Sequence, residues 1–152
     1  MKSPLVDLAY LLLPALWIGL LVGVCFIATP AKFQAQSLRL PAALDVGRST
    51  FEIWNNVEWI LVALVIPFLA YTDARLYSVL AFGTVGALLL IQTMVLLPAL
   101  NARAATIIAG DKPEPSSDHL LYIVIDVLKL GALASIAWKE AARIMPLLVQ
   151  LR

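Results

Sequence analysis

The fourth apolar segment of the chain carries polar side chains at helical spacing. At positions i, i+3, i+7 and i+10 lie His119, Tyr122, Asp126 and Lys129. On a helix that turns about 100° per residue, these positions fall within a sector of roughly 80°. A charged group deep in a membrane costs about 3 kcal/mol or more unless it is paired or hydrated, and it usually faces the bundle interior. The spacing therefore predicts a polar stripe that faces a pocket rather than lipid.

A second polar stripe leads into the second apolar segment. Its members, at i, i+4, i+7 and i+11, are Arg48, Glu52, Asn55 and Trp59. The apolar part of this segment, residues 59–71, is too short to cross a bilayer, which takes about 20 residues. The helix must therefore begin near Ser49 or Thr50, either of which is a suitable N-cap, and the polar residues must enter the membrane.

Glu58 lies on a neighbouring side of the same helix. With a rise of about 1.5 Å per residue, Glu58 and Lys129 reach a similar depth of about 13–17 Å, so we expect an ion pair between them. Asp126 lies one turn from Lys129 and is a second partner. Such a cluster predicts a site for a ligand, an ion or a proton. The alternative is that the charges only hold the helices in register, as buried ion pairs can do.

His119 is the candidate metal ligand. A lone histidine at a helix start is more typical of a hydrogen-bonding cap, and a single histidine in the chain excludes bis-histidine haem ligation within one chain. Copper bound by His119 with Cys25 or Met94 is an alternative that no spacing specifically supports. The cofactor therefore stays unknown. The one cysteine allows no internal disulfide.

Catalytic motifs are absent from the sequence. It contains no nucleophile elbow, metalloprotease histidine pair, C-x-x-C dithiol or phosphate-binding loop, so hydrolytic or kinase chemistry is not expected. Proton chemistry by a carboxylate, a lysine and a histidine in a shielded pocket stays open, and the sequence favours a non-enzyme without deciding it. The net charge of +1 gives no footprint for nucleic acid.

Composition specifies the elements that must position these residues. Of the 152 residues, 62% are hydrophobic and 14% charged, which predicts a single integral membrane domain in a lipid bilayer. The predicted spans are residues 6–28, 50–71, 76–100 and 118–138. An interfacial segment at 31–48 ends in a turn at Gly47. A tight turn at 71–75 connects the second and third spans. Ser116 or Ser117 is the expected cap of the last span. Short connections predict an all-α, antiparallel four-helix bundle in which both polar stripes start on one membrane side.

Three stretches of the chain share the layout of a known group. They are residues 25–33, 45–59 and 118–133, and the motifs in them are Pro30-x-x-Phe33, Gly47-x-x-x-Phe51, and His119 followed by Asp126. This layout resembles the DUF4149 and TMEM205-like group of small bacterial four-span membrane proteins. The resemblance implies the architecture and a bacterial inner membrane, but no established reaction. This chain departs from the pattern in having Asp126 where a small amide is expected, and Lys129 as an added charge. A looser likeness to copper-resistance membrane proteins implies copper for the metal alternative only.

Three functions are compatible with these residues. The first is a small binding or transport protein whose polar pocket lies between spans two and four, with Arg48 and Glu52 at its opening. The pocket residues are Arg48, Glu52, Asn55, Glu58, Tyr122, Asp126 and Lys129. The second is a structural or assembly subunit of a larger membrane complex, and the third is a metal- or haem-binding redox protein using His119. Five lysines and arginines flank the spans on each membrane side, so the count of positive charges does not decide the orientation. We expect the termini to be cytoplasmic. Four short helices enclose little volume, so we also expect a homo-oligomer or a larger complex.

Overall fold

Four long apolar helices make up the computed structural model, which describes residues 4–71 and 76–149, with side chains for 8–70 and 76–145. The spans run over Leu8–Gln34, Leu40–Ala70, Leu76–Ile108 and Asp118–Met145, each long and apolar enough to cross a bilayer. The described residues contain no strand. The predicted all-α four-helix membrane architecture is therefore confirmed. The predicted turn at 71–75 lies, beyond Tyr71, outside the described residues.

Spans two and four are single α-helices, whereas spans one and three each contain a π-helical segment. Span one comprises α1 (Pro4–Leu21), a π segment (Val22–Ala28) and α2 (Thr29–Gln34). Span two is α3 (Leu40–Tyr71). Span three comprises α4 (Leu76–Ile91), a π segment (Gln92–Leu96) and α5 (Leu97–Ile108), and span four is α6 (Asp118–Val149).

The spans form a ring in chain order. Span one packs most extensively on span four and also meets span two, while span three packs on spans two and four. Spans two and four therefore lie diagonally across the bundle, and the site predicted between them is at its centre rather than at a helix–helix contact. The centre is filled by fully buried side chains, among them Trp17, Leu21, Val85, Leu89 and Leu133. Many large apolar side chains face outward, as expected for helices in lipid.

Both π segments come directly before a proline. Pro30 and Pro98 each stand in the first two positions of the helical segment that follows. The backbone N–H of Thr29 bonds to the Val24 carbonyl, and that of Leu97 to the Gln92 carbonyl, which is the i→i−5 spacing of a π turn. A proline inside a helix lacks a donor and collides with the carbonyl four residues earlier. The wider turn relieves that collision, so the helix continues across the proline.

The start of span two differs from the prediction. Helix α3 begins at Leu40 and passes through Gly47 without a turn. Pro41 is tolerated because backbone N–H groups in the first turn have no helical acceptor. The hydroxyl of Thr50 donates to the Val46 carbonyl at 2.7 Å and does not cap the helix. The predicted interfacial segment is thus divided: its first residues extend span one, and residues 40–48 are the first turns of α3.

The start of span four agrees with the prediction. The Ser117 carbonyl accepts from the Leu121 backbone N–H at 2.9 Å, which makes Ser117 the N-cap. The Ser116 hydroxyl oxygen accepts from the Asp118 backbone N–H at 3.1 Å. His119 therefore lies in the first turn of α6, and it is exposed.

The glycines of the first span do not mediate helix contact within the chain. A Cβ added at Gly19 or Gly23 would meet no atom within 4 Å. Their G-x-x-x-G spacing, a common motif for close helix contact, is therefore not used between described helices of this chain. The reason is geometric, since α1 packs on its neighbours through the face that carries Trp17 and Leu21.

Candidate functional site

Three ionisable side chains meet at the centre of the bundle. The Lys129 ammonium lies 2.7 and 2.8 Å from the two carboxylate oxygens of Glu58 and 3.1 Å from Asp126 Oδ1. The side chains of Lys129 and Glu58 are 0% exposed and that of Asp126 is 2% exposed. The two ion pairs predicted from depth and spacing are thus present. We call these residues the charge triad, and its ionised form has one more negative charge than positive charge.

Trp17 fixes the glutamate of the charge triad. Its indole N–H donates to Glu58 Oε1 at 3.0 Å, and the ring is fully buried. Both oxygens of Glu58 therefore have donors, one from Trp17 and Lys129 and the other from Lys129. Sequence reasoning gave Trp17 no role in the site and so missed this contact. The signal was available, because a buried indole N–H normally finds an acceptor.

Gln92 holds the aspartate of the charge triad. Its amide donates to Asp126 Oδ1 at 2.9 Å and to the Tyr122 carbonyl at 3.3 Å. Gln92 opens the π segment of span three, so the wide turn and the triad are in direct contact. The thiol of Cys25, from the π segment of span one, also lies against Asp126. Sequence reasoning noted Gln92 inside a span but gave it no role.

Two buried oxygens beside the charge triad have no protein partner. The side-chain carbonyl of Gln92 and the hydroxyl of Tyr122 make no hydrogen bond with any described residue. Leaving a buried polar group unpaired costs about 1–3 kcal/mol, so such groups mark places where water or a ligand binds. The Tyr122 ring is held edge-on by Phe51, at 5.2 Å between centroids. The polar centre of the bundle is therefore larger than its three charges.

A cavity of about 270 Å³ reaches the charge triad through Asp126. Its walls include Cys25, Phe51, His119, Tyr122 and Asp126. Glu58 and Lys129 do not line it. We call it the inner cavity, and it makes Asp126 the member of the triad that faces open space.

A smaller cavity of about 100 Å³ adjoins the inner one and is called the outer cavity. The two share Thr29, Phe33, Phe51 and His119. The outer cavity is lined in addition by Lys32, Gly47, Arg48, Leu97 and Asn101. His119 is in the first turn of α6 and Lys32 is near the end of span one, so the outer cavity lies towards the end of the bundle. Together the cavities lead from that end to Asp126.

The predicted stripe of span two is divided between different surroundings. The Thr93 hydroxyl donates to Asn55 Oδ1 at 2.7 Å and accepts from the Trp59 indole at 3.0 Å. Glu52 is exposed and accepts from the Asn101 amide at 2.9 Å. Asn55 and Glu52 therefore hold span three and line neither cavity. Of this stripe, only Arg48 lines a cavity, while Glu58 joins the triad from a neighbouring side of the helix.

The metal hypothesis gains little support from the geometry. Within the described part of the chain, no group of three or more histidine, cysteine, aspartate or glutamate side chains could hold a metal ion. His119 and Cys25 line the same inner cavity. Met94, the other proposed ligand, is 66% exposed and lines neither cavity. A metal role for His119 stays a prediction.

Comparisons of the chain with protein-family models, with curated proteins and with solved structures find no match. The function must therefore be argued from the site itself, since a four-helix bundle supports many functions.

Proposed function

We propose that the protein is a small membrane protein that binds or transports a small ligand or ion and takes up a proton at Asp126. The observation that carries the proposal is that the charge triad has one excess negative charge, and that Asp126 is its member on the wall of the inner cavity. The proposal includes a bacterial inner membrane with cytoplasmic termini.

The charge of the triad favours uptake of one proton. An unpaired charge in a low-dielectric interior is strongly unfavourable, and two carboxylates near one another cannot both ionise without a cost. Lys129 neutralises one carboxylate, and a proton neutralises the other. Glu58 already accepts from Trp17 and from Lys129 at both oxygens. We assign the proton to Asp126, which is held by Gln92 and more distantly by Lys129.

The groups around Asp126 suit an exchangeable proton. Asp126 is surrounded by Lys129, Glu58, Cys25, Tyr122 and Gln92, of which Cys25 and Tyr122 also line the inner cavity. His119 lies on the wall of the same cavity, nearer the bundle end. Water in the cavity could pass a proton between the bundle end and Asp126, and a ligand there would be sensitive to its charge.

The assembly-subunit alternative expected the polar stripes to pair with helices of a partner. In the structure the most deeply placed charges, those of Glu58, Asp126 and Lys129, turn inward and pair with one another within the chain. A partner helix is not needed to neutralise them. In a second alternative, the triad only fixes the helix register. That alternative predicts that the number of protons bound by the triad does not change with pH.

Infrared difference spectroscopy separates these functions. The protein in lipid is titrated with acid while the carbonyl band of a protonated carboxylic acid is followed, for the wild type, Asp126→Asn and Glu58→Gln. We expect the band in the wild type and its loss in both Asp126→Asn and Glu58→Gln, because either substitution leaves Lys129 facing a single carboxylate. Carbon-13 labelling of the aspartate carboxyl groups should shift the wild-type band, and the same labelling of glutamate should leave it unchanged. A band that shifts with glutamate labelling instead, or a folded wild type with no titrating buried acid, would contradict the proposal. Acid-driven proton uptake into vesicles containing the protein then distinguishes transport from binding.

A further inference from the structure

Lys32 has an unusual environment for a lysine. Its ammonium lies 5.1 Å from the centre of the Phe33 ring and 5.5 Å from that of Phe51. Among the described residues, no carboxylate lies within ion-pair distance of it. Lys32 is half-buried, so the charge is partly removed from water without an anion to compensate it.

The backbone of α3 leaves room for this ammonium at Gly47. A Cβ built on Gly47 would lie 2.5 Å from Lys32 Nζ. Any other residue at this position would displace the lysine head from the wall of the outer cavity. The glycine that sequence reasoning assigned to a turn is therefore a point of close approach between span one and α3.

Arg48, the next residue, presents a second unpaired cation to the same cavity. Its Nε–H is buried and has no acceptor, and no described side chain forms an ion pair with it. Glu52, one turn along α3, is the obvious partner, but it accepts from Asn101 instead. A buried guanidinium N–H without a protein acceptor is rare and marks a place where water or an anion binds, and the positive charge favours the anion.

We propose that the outer cavity binds the carboxylate or phosphate head of an anionic amphiphile, with Lys32 and Arg48 as its ligands. This inference rests on the proposed function and names the ligand class of that site. The cavity volume of about 100 Å³ is well above the roughly 10–15 Å³ that a single water needs, so the cavity has room for a carboxylate or phosphate group. The adjoining walls of both cavities are mainly apolar and aromatic, which suits a hydrocarbon tail.

Calorimetric titration of the purified full chain in a neutral maltoside detergent tests the site. The probes are laurate and dodecyl phosphate, with dodecanol as the uncharged probe of equal chain length and inorganic phosphate as the head group alone. We expect both anionic amphiphiles to bind and dodecanol to bind at least about tenfold more weakly. The reason is that a charge-assisted hydrogen bond contributes more free energy than a tenfold change in affinity requires. Inorganic phosphate that binds as tightly as dodecyl phosphate would identify a free anion as the ligand. Equal binding of dodecanol and laurate would overturn the proposal.

Variants assign the binding to the two cations. Lys32→Gln and Arg48→Gln should each weaken laurate binding about tenfold or more by the same measure, and Lys32→Arg should retain most of it. Arg39→Gln and Lys112→Gln are matched controls, because both are exposed and line neither cavity. Circular dichroism and gel filtration confirm folding of each variant. Unchanged laurate affinity in both Lys32→Gln and Arg48→Gln would overturn the assignment.

The infrared titration of Asp126, made on the wild type and repeated on Lys32→Gln, is compared with laurate binding. The comparison separates this inference from the proposed function. A titrating Asp126 band without laurate binding by the wild type contradicts the anion site alone. Laurate binding without a titrating Asp126 contradicts the proton proposal alone.

Discussion

Lys129 reaches Glu58 across the diagonal of the bundle, with Nζ 2.7 Å from Oε1. The two residues belong to spans four and two, which are not neighbours in the ring of helices. The ion pair therefore connects helices that make little other direct contact. Asp126 adds a second carboxylate on the same side of the ammonium, and this asymmetry gives the site its excess negative charge.

Removing the lysine should destabilise the fold strongly. In Lys129→Met two buried carboxylates lose their cation, and we expect the free energy of unfolding to fall by about 3–5 kcal/mol. Denaturant unfolding in detergent measures the loss. The double variant Lys129→Met with Glu58→Gln should recover part of it, and Lys112→Met, in the exposed loop, should change little. Equal stability of Lys129→Met and wild type would show that the pair does not hold the helices.

Loss of the indole donor should also weaken the site. Trp17→Phe keeps an aromatic ring but removes the hydrogen bond to Glu58 Oε1. A hydrogen bond to a charged group contributes about 1.5–3 kcal/mol, so the free energy of unfolding should fall by about that amount. Trp138→Phe is the matched control because Trp138 is 78% exposed, and its effect should stay within about 0.5 kcal/mol. Equal effects of the two substitutions on the free energy of unfolding would show that the hydrogen bond from Trp17 does not stabilise the site.

A single methyl group at Gly47 should impair anion binding without unfolding the protein. In Gly47→Ala the new Cβ displaces the Lys32 head, whose flexible stem can move, so laurate affinity falls while helicity is retained. Gly131→Ala is the matched control, because no atom lies within 4 Å of its Cβ position. Replacing an interior helix glycine with alanine stabilises by about 0.5–1 kcal/mol, so that control should be more stable and bind laurate as the wild type does.

Elemental analysis and an absorption spectrum test the metal alternative. We expect substoichiometric metal in the purified protein and no pigment band, because the described residues offer no cluster of three suitable ligands. His119→Ala and Asp126→Asn should leave that result unchanged. Stoichiometric copper that is lost in both His119→Ala and Cys25→Ser would instead restore the redox hypothesis.

The ion pairs of the site were predictable because few physical constraints decide them. Charges in a lipid-facing segment must turn inward, and the fixed rise of a helix gives Glu58 and Lys129 the same depth. Trp17 and Gln92 carry no such constraint, since an indole or an amide is tolerated in many positions of a membrane helix. Their roles depend on the ring order of the spans, and the lengths of the connections do not specify that order.

The start of α3 shows how a local rule can mislead. Gly47 was assigned to a turn because glycine interrupts helices, but the cost inside a helix is only about 1 kcal/mol. A close contact can offset that cost, and here the ammonium of Lys32 occupies the space beside the glycine. Pro30 and Pro98 follow the two π segments, but Pro14 and Pro67 lie inside ordinary α-helix, so a proline alone does not predict a wide turn.

The wide turns of spans one and three give these helices a tolerance to length changes that spans two and four lack. Deleting one residue from an α-helix rotates everything beyond it by about 100° relative to the rest. A deletion between Gln92 and Leu96 could instead convert the i→i−5 turn to an ordinary one and leave both ends of span three facing as before. The change would be confined to the level of Asp126, the carboxylate that Gln92 contacts from the start of this wide turn.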